Sequence, residues 1–352
     1  MRKLRFRNSF LVLLFGIATL TACSDEDDST LGVWYNRSDF DGLARADASS
    51  FTIDNKGYVC FGYTGKKRLT DLWEYDIDRD SWTQMASLPE TDREGNGVKG
   101  RNSATAFAIN GKGYVGTGYN GEVENSGYIQ DFWEFDPLKN QWTQKADFPG
   151  GRRRNAVGFG IGQYGYMGTG YDGNYQKDFY RYDPTSDVWT KITSINGSKR
   201  MGASAFVIDD KGYVCCGINN GSYVEDFWRY NPESQEWEEL AKISNTNTDE
   251  NKNDVSWDDD YASIVRQNGV IVVIDGKAVL STGSNGSLVS YTWLYDPTTD
   301  RWEEMTGFAG SARSSAVGIS NGAKGLFATG RSSSYYFDDV WEINRYEYED
   351  NE

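Results

Sequence analysis

The stretch Arg101-Asn102-Ser103-Ala104-Thr105-Ala106-Phe107-Ala108-Ile109-Asn110-Gly111-Lys112-Gly113-Tyr114-Val115-Gly116-Thr117-Gly118 decides the fold. Ala104 to Ile109 is small and apolar and reads as a strand. Asn110-Gly111-Lys112-Gly113 reads as a tight turn, and a second strand runs on to Gly116-Thr117-Gly118, where small residues allow close packing or a positive φ. An arginine and a glycine bound the stretch, 17 residues apart, and the same spacing recurs at Arg45/Gly62, Arg153/Gly170, Arg200/Gly217, Arg266/Gly283 and Arg313/Gly330. Successive glycines are 56, 52, 47, 66 and 47 residues apart. A register held inside six units and relaxed between them describes a repeat fold with variable loops.

Outward from each glycine, a variable loop leads to a third strand: Asp71-Leu72-Trp73, Asp131-Phe132-Trp133, Asp178-Phe179-Tyr180, Asp226-Phe227-Trp228, Thr292-Trp293 and Val340-Trp341. A turn follows, marked by Pro137, Pro184, Pro232 and Pro297, and suited to the fixed φ of proline at an early turn position. Nine residues after the third-strand aromatic comes a fourth-strand tryptophan: Trp82, Trp142, Trp189, Trp237 and Trp302. Aromatics at fixed strand positions are expected to pack between units. Four short strands per unit, with a glycine pair and spaced aromatics, indicate an all-β, six-bladed β-propeller.

These units resemble kelch repeats from residue 31 to about residue 345, although the glycine doublet is usually Gly-Thr-Gly rather than Gly-Gly. The sixth unit has no tryptophan nine residues after Trp341, whereas Trp34 precedes the first arginine with no third strand ahead of it. Leu31 to Tyr35 should therefore supply the outer strand of the last blade and close the ring.

The ends point to export. Arg2, Lys3, Arg5 and Arg7 precede an apolar run from Phe10 to Leu20, too short to span a bilayer, so residues 1–22 read as a signal peptide. Leu20-Thr21-Ala22-Cys23 resembles the bacterial lipobox, which implies lipidation at Cys23 and anchoring to a membrane rather than passage through it. Residues 23–30, with the acidic run Ser24-Asp25-Glu26-Asp27-Asp28, form a tether that resembles the surface-export signal of Bacteroidetes lipoproteins. The expectation is an outer-membrane protein facing the cell exterior, with a propeller over 31–346 and an acidic tail over 347–352. Removing the four basic residues of the signal leaves 32 basic against 52 acidic side chains, a formal charge of about −20. That sign disfavours nucleic acid and anionic lipid as partners. With no histidine, the commonest metal ligand and the usual base of hydrolase triads are missing. The resemblance therefore does not extend to the kelch-based copper oxidases, which need histidine ligands. Cys60, Cys215 and Cys216 sit in apolar strands and read as buried thiols. No cofactor is implied, and the expected state is a monomer.

In an up-and-down blade the turns after strands one and three share one face, and here these are short. Every long insertion falls on the other face, including 245–261 with its acids and Trp257. That acidic loop does not match the spacing of an EF-hand, so it carries no metal expectation. Variable loops on a rigid scaffold are where binding surfaces are built. Arg45, Arg101, Arg153, Arg200, Arg266 and Arg313 begin strand one and so lie at this face around the axis. Two arrangements are open for each. It can pair with a local acid such as Asp47, Asp71, Asp131, Asp178, Asp226 or Asp338. Alternatively it can point into the mouth and bind an anion, as arginines at this repeat position do in kelch domains with acidic partners. The candidate ligand-binding residues are those six arginines and Trp257. In the second arrangement, Arg153→Ala and Arg200→Ala weaken an acidic ligand more than they lower stability.

The expected function is a surface binding or scaffold module for an anionic glycan, peptide or protein partner. The alternative rests on a resemblance in size and architecture to the N-acetylneuraminate epimerases (sialic acid mutarotases), which implies chemistry on an acidic sugar. No catalytic carboxylate is nominated.

Overall fold

The computed structural model describes residues 29–122, 124–243 and 263–350. Six four-stranded antiparallel sheets follow one another in chain order. The first blade is Ser49–Ile53, Lys56–Cys60, Leu72–Asp76 and Ser81–Met85, and the second repeats it as Thr105–Ile109, Lys112–Gly116, Phe132–Asp136 and Gln141–Gln144. Blades three to five begin at Val157, Ser204 and Val270. The sixth has Val317–Ser320, Gly325–Ala328 and Val340–Asp350, and its outer strand is Ser29–Arg37 from the N-terminus. The expected closure is present. It is longer than the sequence suggested, because Ser29 pairs with Asp350 and Thr30 with Glu349. Residues assigned to the tether and the acidic tail thus extend the last blade: each offers the other's backbone a partner.

The core lies between blades. Aromatic or aliphatic first-strand residues pack against the small residue, glycine in every blade but the fifth, at the start of the next blade's second strand. A Cβ built on Gly113 would lie 2.2 Å from the Phe51 ring, and one on Gly165 2.1 Å from Phe107. The fourth-strand tryptophans seal the outer seam. Trp142, Trp189 and Trp237 donate their indole N–H to Ala86 O, Ala146 O and Thr193 O at 2.7, 3.0 and 2.9 Å. Trp34 does the same to Thr306 O at 3.2 Å and packs edge-on against Phe308 and Phe327. The expectation that these aromatics join blades rather than stack a ligand is met.

The 17-residue register has a direct physical cause. The N–H of each repeat glycine donates to the carbonyl of the next blade's arginine, from Gly62 to Arg101 O round to Gly330 to Arg45 O, at 2.7–2.8 Å. These glycines have φ between 95° and 111°, and a side chain would meet the backbone of the first strand, as at Gly118, where a Cβ falls 3.0 Å from Asn102 O. One turn closer to the axis, Asp47, Ser103, Asn155, Gly202, Asn268 and Ser315 follow each arginine by two residues, all with φ of 52–62°. Each backbone N–H in this set donates to the carbonyl of the preceding blade's member, and Asp47 N donates to Ser315 O, so six bonds of 2.7–3.1 Å close a cycle around the axis. The next positions, Ala48, Ala104, Ala156, Ala203, Gly269 and Ala316, are all small enough to line a narrow channel.

Candidate functional site

The six repeat arginines do not face the mouth. All are 0–1% exposed, inside the ring wall. Arg45 is clamped by Asp71 through Nη1–Oδ1 and Nη2–Oδ2, both 2.7 Å, and Arg153 by Asp178 at 2.6 and 3.0 Å. Arg101 holds Asp131 and Arg313 holds Asp339 in the same fork, and Arg200 pairs with Asp226. Each Nη1 also donates to the carbonyl 16 residues on, such as Phe61 O at 2.8 Å from Arg45 and Thr169 O at 2.8 Å from Arg153. The third-strand tryptophan completes the clamp. Trp73, Trp133 and Trp341 donate to Asp71, Asp131 and Asp339 at 2.9, 3.0 and 2.8 Å. Burial pushes the Asp131 carboxyl up, but the Arg101 charge and the hydrogen bonds from Arg101 and Trp133 outweigh it, holding it below the usual carboxylate range.

These positions correct the ligand-binding expectation for Arg45, Arg101, Arg153, Arg200, Arg266 and Arg313. A guanidinium with no exposed edge, its Nη groups already on carboxylate and carbonyl oxygens, is out of a ligand's reach, even where Nε is unpartnered, as in Arg101 and Arg153. Two pairing candidates are corrected as well: Asp339 rather than Asp338 clamps Arg313, and Asp47 is not the partner of Arg45. Blade five departs from the pattern. Tyr291 occupies the position of the clamping aspartate, and Arg266 is held by the carbonyls of Ser263, Ile264, Thr282 and Tyr291 at 2.7–3.0 Å. Burial pulls its pKa down to about 10. Cys60, Cys215 and Cys216 are buried free thiols, as expected. Trp257, the whole of the 245–261 insertion and Cys23 lie outside the described residues.

The mouth is built instead by the residues next to the repeat positions. Tyr63, Tyr119, Tyr171 and Arg331 each follow a repeat glycine, and each forms a bridge to the residue after a repeat arginine: Ala46, Asn102, Arg154 and Ser314. This places three further arginines, Arg68, Arg154 and Arg331, around the axis. Arg68 Nε donates to Asn102 Oδ1 at 2.8 Å, and its guanidinium lies 4.9 and 4.7 Å from the Tyr63 and Tyr119 ring centres. Arg154 lies among Tyr119, Tyr171 and Tyr128 at 5.3, 5.8 and 5.9 Å, and its buried Nε has no hydrogen-bond partner among the described residues. Such tyrosine faces orient a cation at a cost of little charge. Among the described residues, none of the three arginines has a carboxylate within 4.0 Å.

Half-buried Asp47 stands at the centre, in the axial cycle. Burial raises its pKa above the usual carboxylate value, while a hydrogen bond with Ser315 and the charges of Arg331, Arg154 and Arg68 pull it back only in part. The site is therefore a cationic, tyrosine-lined bowl across blades six, one, two and three, with a carboxyl that takes up a proton more readily than most. It can receive a carboxylate or another oxyanion in a fork geometry while stacking an apolar ring face on tyrosine. Arg154, directly after Arg153, and Arg331, directly after Gly330, lie outside the positions at which the six units agree, so the repeat pattern does not single them out. The available signal was a basic residue present at an otherwise variable position.

The family profile described as KLHDC2/KLHL20/DRC7 Kelch-repeats domain matches residues 43–199, and the Kelch motif matches residues 199–244. No curated protein sequence matches the chain. A solved structure entitled "Structure of YjhT" superimposes with a TM-score of 0.67 at 15% identity, covering 86% of this chain and 95% of that one. At that identity the likeness concerns the fold alone. The matched repeats, the six sheets in chain order and the shared ring architecture place this chain in the kelch-repeat family, as a six-bladed β-propeller.

Proposed function

We propose that the protein is a binding module that captures an anionic ligand, an acidic glycan or an acidic peptide segment of a partner, in the tyrosine-lined mouth. Kelch propellers commonly mediate protein binding, and the mouth described above gives this one its chemistry. The observation that carries the reading is the convergence of Arg68, Arg154 and Arg331 around one carboxyl, that of Asp47, with no carboxylate within 4.0 Å of any of the three among the described residues, in a chain whose formal charge is −16. Three cations around the single Asp47 carboxyl leave a net positive charge, and an anion relieves their mutual repulsion. In this reading Cys23 carries the lipid that fixes the module to the outer membrane, facing the cell exterior.

The test is calorimetric titration with glucuronic acid, N-acetylneuraminic acid and a glutamate-rich peptide, with glucose as the neutral control. Binding is expected for acidic ligands, and the Arg68→Ala/Arg154→Ala/Arg331→Ala variant should lose it. Equal binding of glucose would contradict the charge argument. The pH dependence has a definite sign. Because the Asp47 pKa is raised, lowering pH neutralises it while the ligand carboxylate is still ionised, so affinity rises as pH falls through that window. Asp47→Asn should bind more tightly at neutral pH and flatten the profile.

A second reading, a mutarotase-like activity on an acidic sugar, has one observation in its favour. Asp47 is a carboxyl with raised pKa beside cations that would hold the sugar's carboxylate, which is what proton transfer at a bound acidic sugar requires. Acceleration of anomeric exchange in NMR, lost in Asp47→Asn, would select it over binding alone.

A further inference from the structure

The path of the chain fixes which face carries the N-terminus. Strand Ser29–Arg37 fills the fourth position of blade six, so Arg37, opposite Val340, leads toward the arginine end of blade one. Ser29, opposite Asp350, lies past the level of the short turn between strands three and four of the other blades, whose third strands stop after four or five residues. The partner strand shows the same placement independently. Tyr346 Oη contacts Asp275 in the first turn of blade five, and Arg345 reaches the same carboxylate at 3.8 Å. The end that leads to Cys23 is therefore on the short-turn face, opposite the mouth.

From Cys23 to Ser29 is six residue steps, about 20 Å at full extension. The inner strands alone are five residues long, about 17 Å from face to face, and the mouth lies three strand spacings, about 14 Å, in from the outer edge. A tether of this length leaves the short-turn face near the lipid and cannot carry the ring over to lay its mouth against the bilayer.

We propose that the short-turn face is the membrane-facing side of the protein, so that the mouth opens away from its own membrane and takes ligand arriving from outside. The inference rests on lipid anchoring at Cys23 as read above. It is tested on the full-length lipidated protein in phosphatidylcholine/phosphatidylglycerol vesicles containing nickel-chelating headgroups. A nitroxide is placed either at Leu138→Cys, on an exposed short turn, or at Ser333→Cys, on an exposed loop at the mouth face. The native thiols at 60, 215 and 216 are buried and do not compete for label. The nitroxide at 138 should relax at least about twofold faster than that at 333. Equal or reversed relaxation in protein that floats with the vesicles overturns the orientation alone. Protein that fails to float, or that lacks the lipid mass at Cys23, overturns the anchor and the orientation together.

Discussion

Asp131→Ala is expected to lower folding stability by about 3–5 kcal/mol, the cost of leaving a buried charge without its partner. The substitution removes two hydrogen bonds from the Arg101 fork and one from Trp133, and leaves a guanidinium that is 1% exposed without its carboxylate. The sign and size separate a broken pair from a weak one. An exposed ion pair contributes about 1 kcal/mol or less, whereas here the guanidinium is buried and only the carboxylate side is partly open. Equilibrium denaturation in urea reads the difference. A loss below about 1 kcal/mol would show that solvent reaches the guanidinium. Exchanging both partners for apolar residues, Arg101→Met with Asp131→Leu, should recover much of the loss, because the penalty lies mostly in the orphaned charge.

Removing Ser29–Arg37 should be at least as damaging. The segment supplies all nine residues of the outer strand of blade six and places Trp34, 8% exposed, between Phe308 and Phe327. Trp34→Ala alone should cost about 3–5 kcal/mol. Loss of the strand also exposes the edge of Val340–Asp350, an unpaired row of backbone groups that invites association with another chain. Calorimetric melting of the shortened protein should show a much lower transition temperature and greater aggregation. An unchanged transition would mean that the ring holds without its first-to-last seam.

Fold and site were legible in the sequence to very different degrees, for one reason. Whatever six blades need six times appears six times, so Arg101 to Gly118 and its five counterparts announced the ring, its closing strand and its aromatic seams. The same repetition misled the choice of site. A residue required in every blade serves something that occurs in every blade, and Arg45, Arg101, Arg153, Arg200 and Arg313 serve the clamp on the third-strand aspartate. Arg266 shows that the arginine survives even where Tyr291 has replaced the acid, because the carbonyls remain. A ligand meets the mouth once. Its contacts belong where the blades differ: Arg154 in place of Ala46 or Ser314, and Arg331 in place of Tyr63 or Ser284. The side of the mouth at blades four and five is carried by Ile218 and Ser284, and the role expected of Trp257 depends on residues outside those described.

The neighbours Arg153 and Arg154 provide the most direct test, because one is clamped inside the wall and the other stands in the mouth. Titration of N-acetylneuraminic acid and glucuronic acid into Arg154→Ala, alongside a urea denaturation curve, should show affinity reduced about tenfold or more and stability changed by about 1 kcal/mol or less. Arg153→Ala should do the opposite, losing about 3–5 kcal/mol of stability while its folded fraction binds as before. Weakened binding in Arg153→Ala with stability intact, and no effect of Arg154→Ala, would return the ligand to the repeat arginines and contradict the site proposed for the mouth.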